Sequence, residues 1–194
     1  MTAQWNKQAK SKGDIEKYLN GEFYQVGGFV TKADDVANCK KYMDYYNNLG
    51  LGYSWNKDGK LVYQYYKDID TELGVIRFKS TAVNPDTLKI PYGKGMNGVP
   101  IDGKPFNKGY KTEELPFTGN GFAGGVETDC ITPEYEFLKT SDNKYGVYDI
   151  MDGAELYKVT KEGEEILMAI FDSKQSNPSH TEVNGCFVRL EDIK

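Results

Sequence analysis

The stretch TPEYEFLKT (132–140) alternates in character, with Glu134 and Glu136 on one parity and Tyr135 and Phe137 on the other. A period of two reads as a β-strand, in which residues two apart project to one face, about 7 Å from each other along the chain. The two carboxyl groups therefore form a geometric unit. Outward positions on a half-buried strand are polar whatever the function, so the pair is either a solvated strand face or the working pair of a site. The Gly-rich run TGNGFAGG (118–125) leads into it. Downstream, KYGVYDIM (144–151), AELYKVTKEGEEILMAIFD (154–172) and GCFVRLEDI (185–193) read as further strands, with turns at SDN, MDG and KEG.

Upstream the pattern changes. A polar lead over residues 1–12 is expected to be flexible, and SKGDIEKYL (11–19) reads as a short helix. GEFYQVGGFV (21–30) reads as a strand. TKADDVANCKKYMDYYNN (31–48) carries Val36, Cys39, Tyr42, Met43 and Tyr46 at three- and four-residue spacing, which predicts an amphipathic helix capped by Thr31 or Asp34. GYSWNKDGKLVYQYY (52–66) predicts a hairpin around its KDG turn, and ELGVIRFKSTAV (72–83) another strand. Residues 91–125 are rich in Pro and Gly and read as one long functional loop. The fold class that follows is α+β, a single domain over 1–194 in which N-terminal helices precede a mostly antiparallel β-sheet core.

Charge and composition narrow the partners. Lys and Arg total 24 against 29 acidic residues, a formal net charge of -5, with no basic block to track phosphates, so nucleic acid is not the default partner. The longest apolar run, ILMAIF (166–171), is too short to span a bilayer, and the start has no signal-peptide core. A soluble monomer is expected, working in the cytoplasm or delivered as part of a longer secreted protein. Arg77 and Arg189 are the chain's arginines, so a bidentate grip on phosphate has few candidates. Cys39, Cys130 and Cys186 are widely spaced and odd in number, which predicts reduced, buried thiols. No metal site is expected: the His-x-Glu at His180 has no PCxxC after it.

The order of these features resembles the arginine–serine–glutamate class of mono-ADP-ribosyltransferases. There a flexible turn leads into a Glu-x-Glu strand, as FAGGVETDCITPEYEF does here, and IRFKSTAVNPD resembles the family's Ser-Thr-Ser strand, with Ala82 in place of the last serine. The family's first motif is an arginine on an early strand. Gln25 stands in that place, and Arg77 is the available substitute. The resemblance implies an ADP-ribosyltransferase-like fold in which Tyr24–Val26, Ile76–Thr81 and Glu134–Leu138 are neighbouring strands around one cleft. It implies NAD as substrate, Glu136 as the catalytic carboxylate against the ribose, and Glu134 orienting or deprotonating an acceptor. Ser80 and Thr81 would hold Glu136 and the ribose, Gln25 and Arg77 would lie toward the phosphates, and Phe117 and Phe122 would stack on the nicotinamide. The implied activity is mono-ADP-ribosyl transfer or NAD hydrolysis by a bacterial or phage effector, with a protein as acceptor.

A non-enzymatic, β-rich binding module is the competing reading. Fifteen tyrosines and two tryptophans bring the aromatic share to 13%, and aromatic, Asn- and Gly-rich loops suit sugar or protein recognition. Gln25 fits that reading better than it fits a transferase.

Overall fold

A computed structural model describes residues 4–9, 12–49, 54–57, 60–63, 72–79, 88–89, 122–124 and 131–193. Its strands are β1 (Gln4–Ala9), β2 (Gln25–Gly27), β3 (Phe29–Lys32), β4 (Ser54–Lys57), β5 (Lys60–Tyr63), β6 (Glu72–Lys79) and β7 (Leu88–Lys89). They continue as β8 (Phe122–Gly124), β9 (Ile131–Pro133), β10 (Tyr135–Phe137), β11 (Val147–Asp149), β12 (Glu155–Thr160), β13 (Glu165–Ser176) and β14 (Asn184–Arg189). The helices are α1 (Lys12–Leu19) and α2 (Tyr42–Asn48), with a 3-10 turn at Ala33–Val36 between them. Among the described residues, eight strands join one sheet in the order β14-β13-β12-β6-β1-β3-β10-β7, and every neighbouring pair is antiparallel. The mixed, mostly antiparallel architecture with few helices agrees with the α+β expectation.

Strand β6 explains why the sheet needs cover on both sides. Leu73 and Val75 point into a cluster with Val36, Cys39, Tyr42, Tyr45, Tyr46 and Val159. Ile76 and Phe78 point the other way, into a cluster with Tyr18, Val30, Phe137, Leu156 and Phe187. A strand apolar on both parities is stable only between two layers, and each fully buried aliphatic side chain contributes about 1.5–3 kcal/mol to holding it there. Helix α1 covers one face, contributing Ile15, Tyr18 and Leu19, while the 3-10 turn and α2 cover the other.

Two elements differ from the sequence reading. Residues 4–9, expected within a flexible lead, form β1 and pair with both β6 and β3. Residues 31–48 do not form one helix: Thr31 and Lys32 end β3, and α2 starts only at Tyr42. Thr31 caps no helix; the carboxylate of Asp44 instead accepts the Lys40 and Lys41 N–H groups at the start of α2. Four of the five periodic residues, Val36, Cys39, Tyr42 and Tyr46, are nonetheless buried, and Met43 is partly so. Their spacing encodes burial against the sheet and not continuous helix.

Gly28, at φ +76, breaks the strand reading of 21–30 into β2 and β3. Beyond that bend β2 pairs with β11 as a separate two-stranded ribbon. The outward strand β11 is covered locally: the Asn143 side chain donates to the Val147 carbonyl at 2.6 Å and accepts the Val147 N–H at 3.1 Å. The hairpin expected around KDG is present as β4 and β5, from Ser54↔Tyr63 to Lys57↔Lys60. Most of the long loop expected over 91–125 lies outside the described residues, but Phe122–Gly124 within it forms β8, paired to β9. Cys39 is a buried free thiol as expected, whereas Cys186 is a free thiol with partial exposure.

Candidate functional site

The two glutamates sit where a strand changes partners. β9 pairs with β8, whereas β10 pairs with β3 and β7, and Glu134 is the residue between them. Pro133 contributes to that break, since it has no N–H to give to a ladder. The joint is tied to β3 by the Thr31 hydroxyl, which donates to the Pro133 carbonyl at 2.7 Å. It is tied again by the Phe137 N–H, which donates to the Gly28 carbonyl at 3.0 Å.

Glu136 is not the outward residue that alternation suggests. It is only 4% exposed, and its Oε1 accepts from the Lys139 ammonium at 2.9 Å. Phe137, on the opposite parity, is fully buried and stacks on Tyr148 with ring centroids 5.2 Å apart. Both faces of β10 are therefore covered here. Glu134 retains some exposure as a residue, yet burial of its carboxyl, with the Glu136 charge adding to it, pushes its pKa up to about 8. At neutral pH Glu134 is mainly a neutral acid. A carboxyl group raised in this way beside a second one is common at acid–base sites.

Of the remaining expected partners, Arg77 and Gln25 do not join the pair. β6 lies between β12 and β1, so β1 and β3 stand between it and β10, a separation of about 14 Å at ordinary strand spacing. The expected adjacency of the β6 and Glu-x-Glu segments fails because β1, unread in the sequence, takes the place beside β6. Register does put Arg77 on the face of Glu136. Glu136 pairs with Phe29, two residues from Thr31 on β3; Thr31 pairs with Asn6 and Asn6 with Arg77, and directly paired residues share a face.

Arg77 is occupied. Its Nη1 donates to Glu165 Oε2 at 2.9 Å, its Nη2 bonds Glu165 Oε1, and its guanidinium lies 4.5 Å from the Tyr157 ring centroid. Burial works against the Arg77 charge, but the Glu165 carboxylate outweighs it and holds the pKa above the usual arginine value. Tyr45 lies against the same group, its hydroxyl pushed up to about 12 by burial and then by the Glu165 charge. Gln25 belongs to the β2–β11 ribbon and donates to Asp149 at 2.9 Å. Arg189 meets Glu16 at 3.4 Å. Neither arginine of the chain thus stands at the glutamate pair. Phe122 is in β8, in register with Pro133, one residue from Glu134. Ser80, Thr81 and Phe117 lie outside the described residues.

Two residues of the site were missed in the sequence. Lys139 is three residues beyond Glu136 and could have been suspected as an ion-pair partner; Thr31 carried a strand signal that the apparent helix obscured. Among the described residues no three His, Cys, Asp or Glu side chains gather as a metal site, and no helix is long and apolar enough to cross a membrane. No protein-family model matches the chain, and comparison with curated proteins and with solved structures finds no match.

Proposed function

We propose that the chain works through Glu134 and Glu136 on NAD, cleaving the nicotinamide–ribose bond with water, or a protein side chain, as the receiving group. The observation that carries this reading is the carboxyl pair itself: two neighbouring glutamates at a strand joint, one ion-paired with Lys139 and the other held mainly neutral beside it. The resemblance in sequence supplies NAD as the substrate; the pair supplies the chemistry.

As the C–N bond breaks, its electrons go to the nicotinamide ring nitrogen and positive charge develops at the ribose carbon. The Glu136 carboxylate stabilises that charge, which exists only in the transition state. Water then adds to the same carbon, and its proton passes to Glu134 when that carboxyl is ionised. With Glu134 titrating near 8, hydrolysis should rise with pH up to about that value. No arginine fork stands at the pair, so the dinucleotide phosphates are not held as in the family resembled.

The test is nicotinamide release from NAD by the wild-type chain and by Glu136→Gln, with and without lysate protein as acceptor. Removing the charge should slow release about a hundredfold, equal to about 3 kcal/mol of barrier. Glu134→Gln should suppress transfer and slow hydrolysis, leaving only the part that needs no base and no longer rises with pH toward about 8. A second reading, a non-enzymatic binding module, is favoured by the engagement of Arg77 with Glu165 and of Gln25 with Asp149. Absence of nicotinamide release from the wild type under all these conditions would end the enzymatic reading and leave the binding one.

A further inference from the structure

We propose that Thr31 is the positioning residue of the carboxyl pair: by holding the Pro133 carbonyl, its hydroxyl fixes the peptide from which Glu134 projects and so sets where that carboxyl lies relative to Glu136. The inference deepens the reading of Glu134 and Glu136 as the working centre and rests on it.

Three observations carry it. Thr31 is 4% exposed as a residue, so its hydroxyl has little access to water and must find a partner in the protein. Its donor distance to the Pro133 carbonyl is 2.7 Å, a well-formed O–H···O bond. That bond spans the break in the ladder, because the β3–β10 register runs through Tyr135↔Val30 and Glu136↔Phe29, while Pro133 pairs on β8 with Phe122. The peptide joining Pro133 to Glu134 thus lies between two pairings, and the threonine hydroxyl supplies a hydrogen bond there. Threonine suits the place, having a β-branched stem for β3 and a hydroxyl short enough to act across one inter-strand gap.

The elements that meet at this joint carry further charged groups, of which Glu136 acts on the Glu134 carboxyl. Glu136 lies on β10 itself and Lys139 just beyond it. On β7, Lys89 is in register with Glu136. Asp34 and Asp35 belong to the 3-10 turn that packs against β9. Lys32 lies over Tyr135, on the other parity of β3 and β10. A shift of the joint would change the distance of Glu134 to Glu136 first, and its access to water with it.

The experiment follows the Glu134 carboxyl by carbon-13 NMR titration in the wild type, Thr31→Val and Thr31→Ser, with nicotinamide release measured alongside. Thr31→Val keeps the branched shape without the hydroxyl and should lower the Glu134 midpoint by about half a pH unit or more, as water reaches the loosened joint. Thr31→Ser keeps the hydroxyl and should titrate like the wild type. Turnover should fall about tenfold in the valine variant and be retained in the serine variant. A valine variant titrating like the wild type overturns the proposal. If that variant does not fold, a serine variant whose midpoint moves despite its hydroxyl overturns it instead. A wild type that releases no nicotinamide removes the NAD reading alone, since the titrations still decide what Thr31 does.

Discussion

Glu134 carries a cost of folding that depends on pH. Its ordinary value of 4.5 is raised to about 8 by burial and by Glu136, so the folded chain holds a proton that the unfolded chain releases. The stability this proton gives is fully present below about 4.5, declines as pH rises toward about 8, and is gone above it. Glu134→Gln has no proton to lose. Its melting temperature should therefore gain on the wild type steadily between about pH 5 and about pH 8.5; two parallel melting-temperature curves across that range would show that burial does not act on Glu134 in this way. Glu136→Gln should leave the fold intact for another reason. Its partner Lys139 has a side chain 53% exposed, which water can solvate when the carboxylate is gone. Burial of Glu136 was not legible from alternation, because TPEYEF has the same pattern whether its polar face meets water or a covering layer.

At the scale of elements, strands with an apolar parity were readable and those without were not. The segment ELGVIRF reads as a strand from its own residues and is β6; AELYKV and EEILMAIF likewise are β12 and β13 around the KEG turn. Strand β1, QWNKQA, has polar residues on both parities, so its membership depends on the pairing offered by β6 and β3, which no local pattern reveals. The neighbours of the Glu-x-Glu strand were misjudged for that reason. β14 shows the reverse case, a glycine whose need appears only in three dimensions. Gly185 has φ +103, and a Cβ there would lie 2.6 Å from Phe171 Cζ. Its carbonyl accepts from the buried Asn177 amide at 3.1 Å. Gly185→Ala should lower stability by about 2–4 kcal/mol through positive φ and overpacking together, as read by chemical denaturation. A loss below about half a kcal/mol would mean that Phe171 moves aside freely.

Across the whole molecule, the sheet with covered faces was foreshadowed by β6, apolar on both parities, while the depth of the site was not. The α+β class follows from helices early and strands late, and the antiparallel order is consistent with hairpins such as β12–β13. The placement of Arg77 could not follow from sequence spacing. It lies on the face of Glu136, yet its charge is taken by Glu165, 88 residues along the chain. That distant choice separates a phosphate-binding arginine from a structural one.

The Asn143 amide on β11 bears on how copies of this chain behave toward one another. The N–H and C=O of Val147 are groups on which an incoming strand could template, beside Tyr145, which is 82% exposed. A side-chain amide has the same donor and acceptor as a peptide unit, so Asn143 occupies the position as a neighbouring strand would and closes it to self-recruitment. Asn143→Ala should uncover it, giving concentration-dependent association by light scattering where the wild type stays dispersed; equal scattering from both would place the protection elsewhere. The backbone groups of Val147 are thus filled by one amide that a loop folds back onto its own strand.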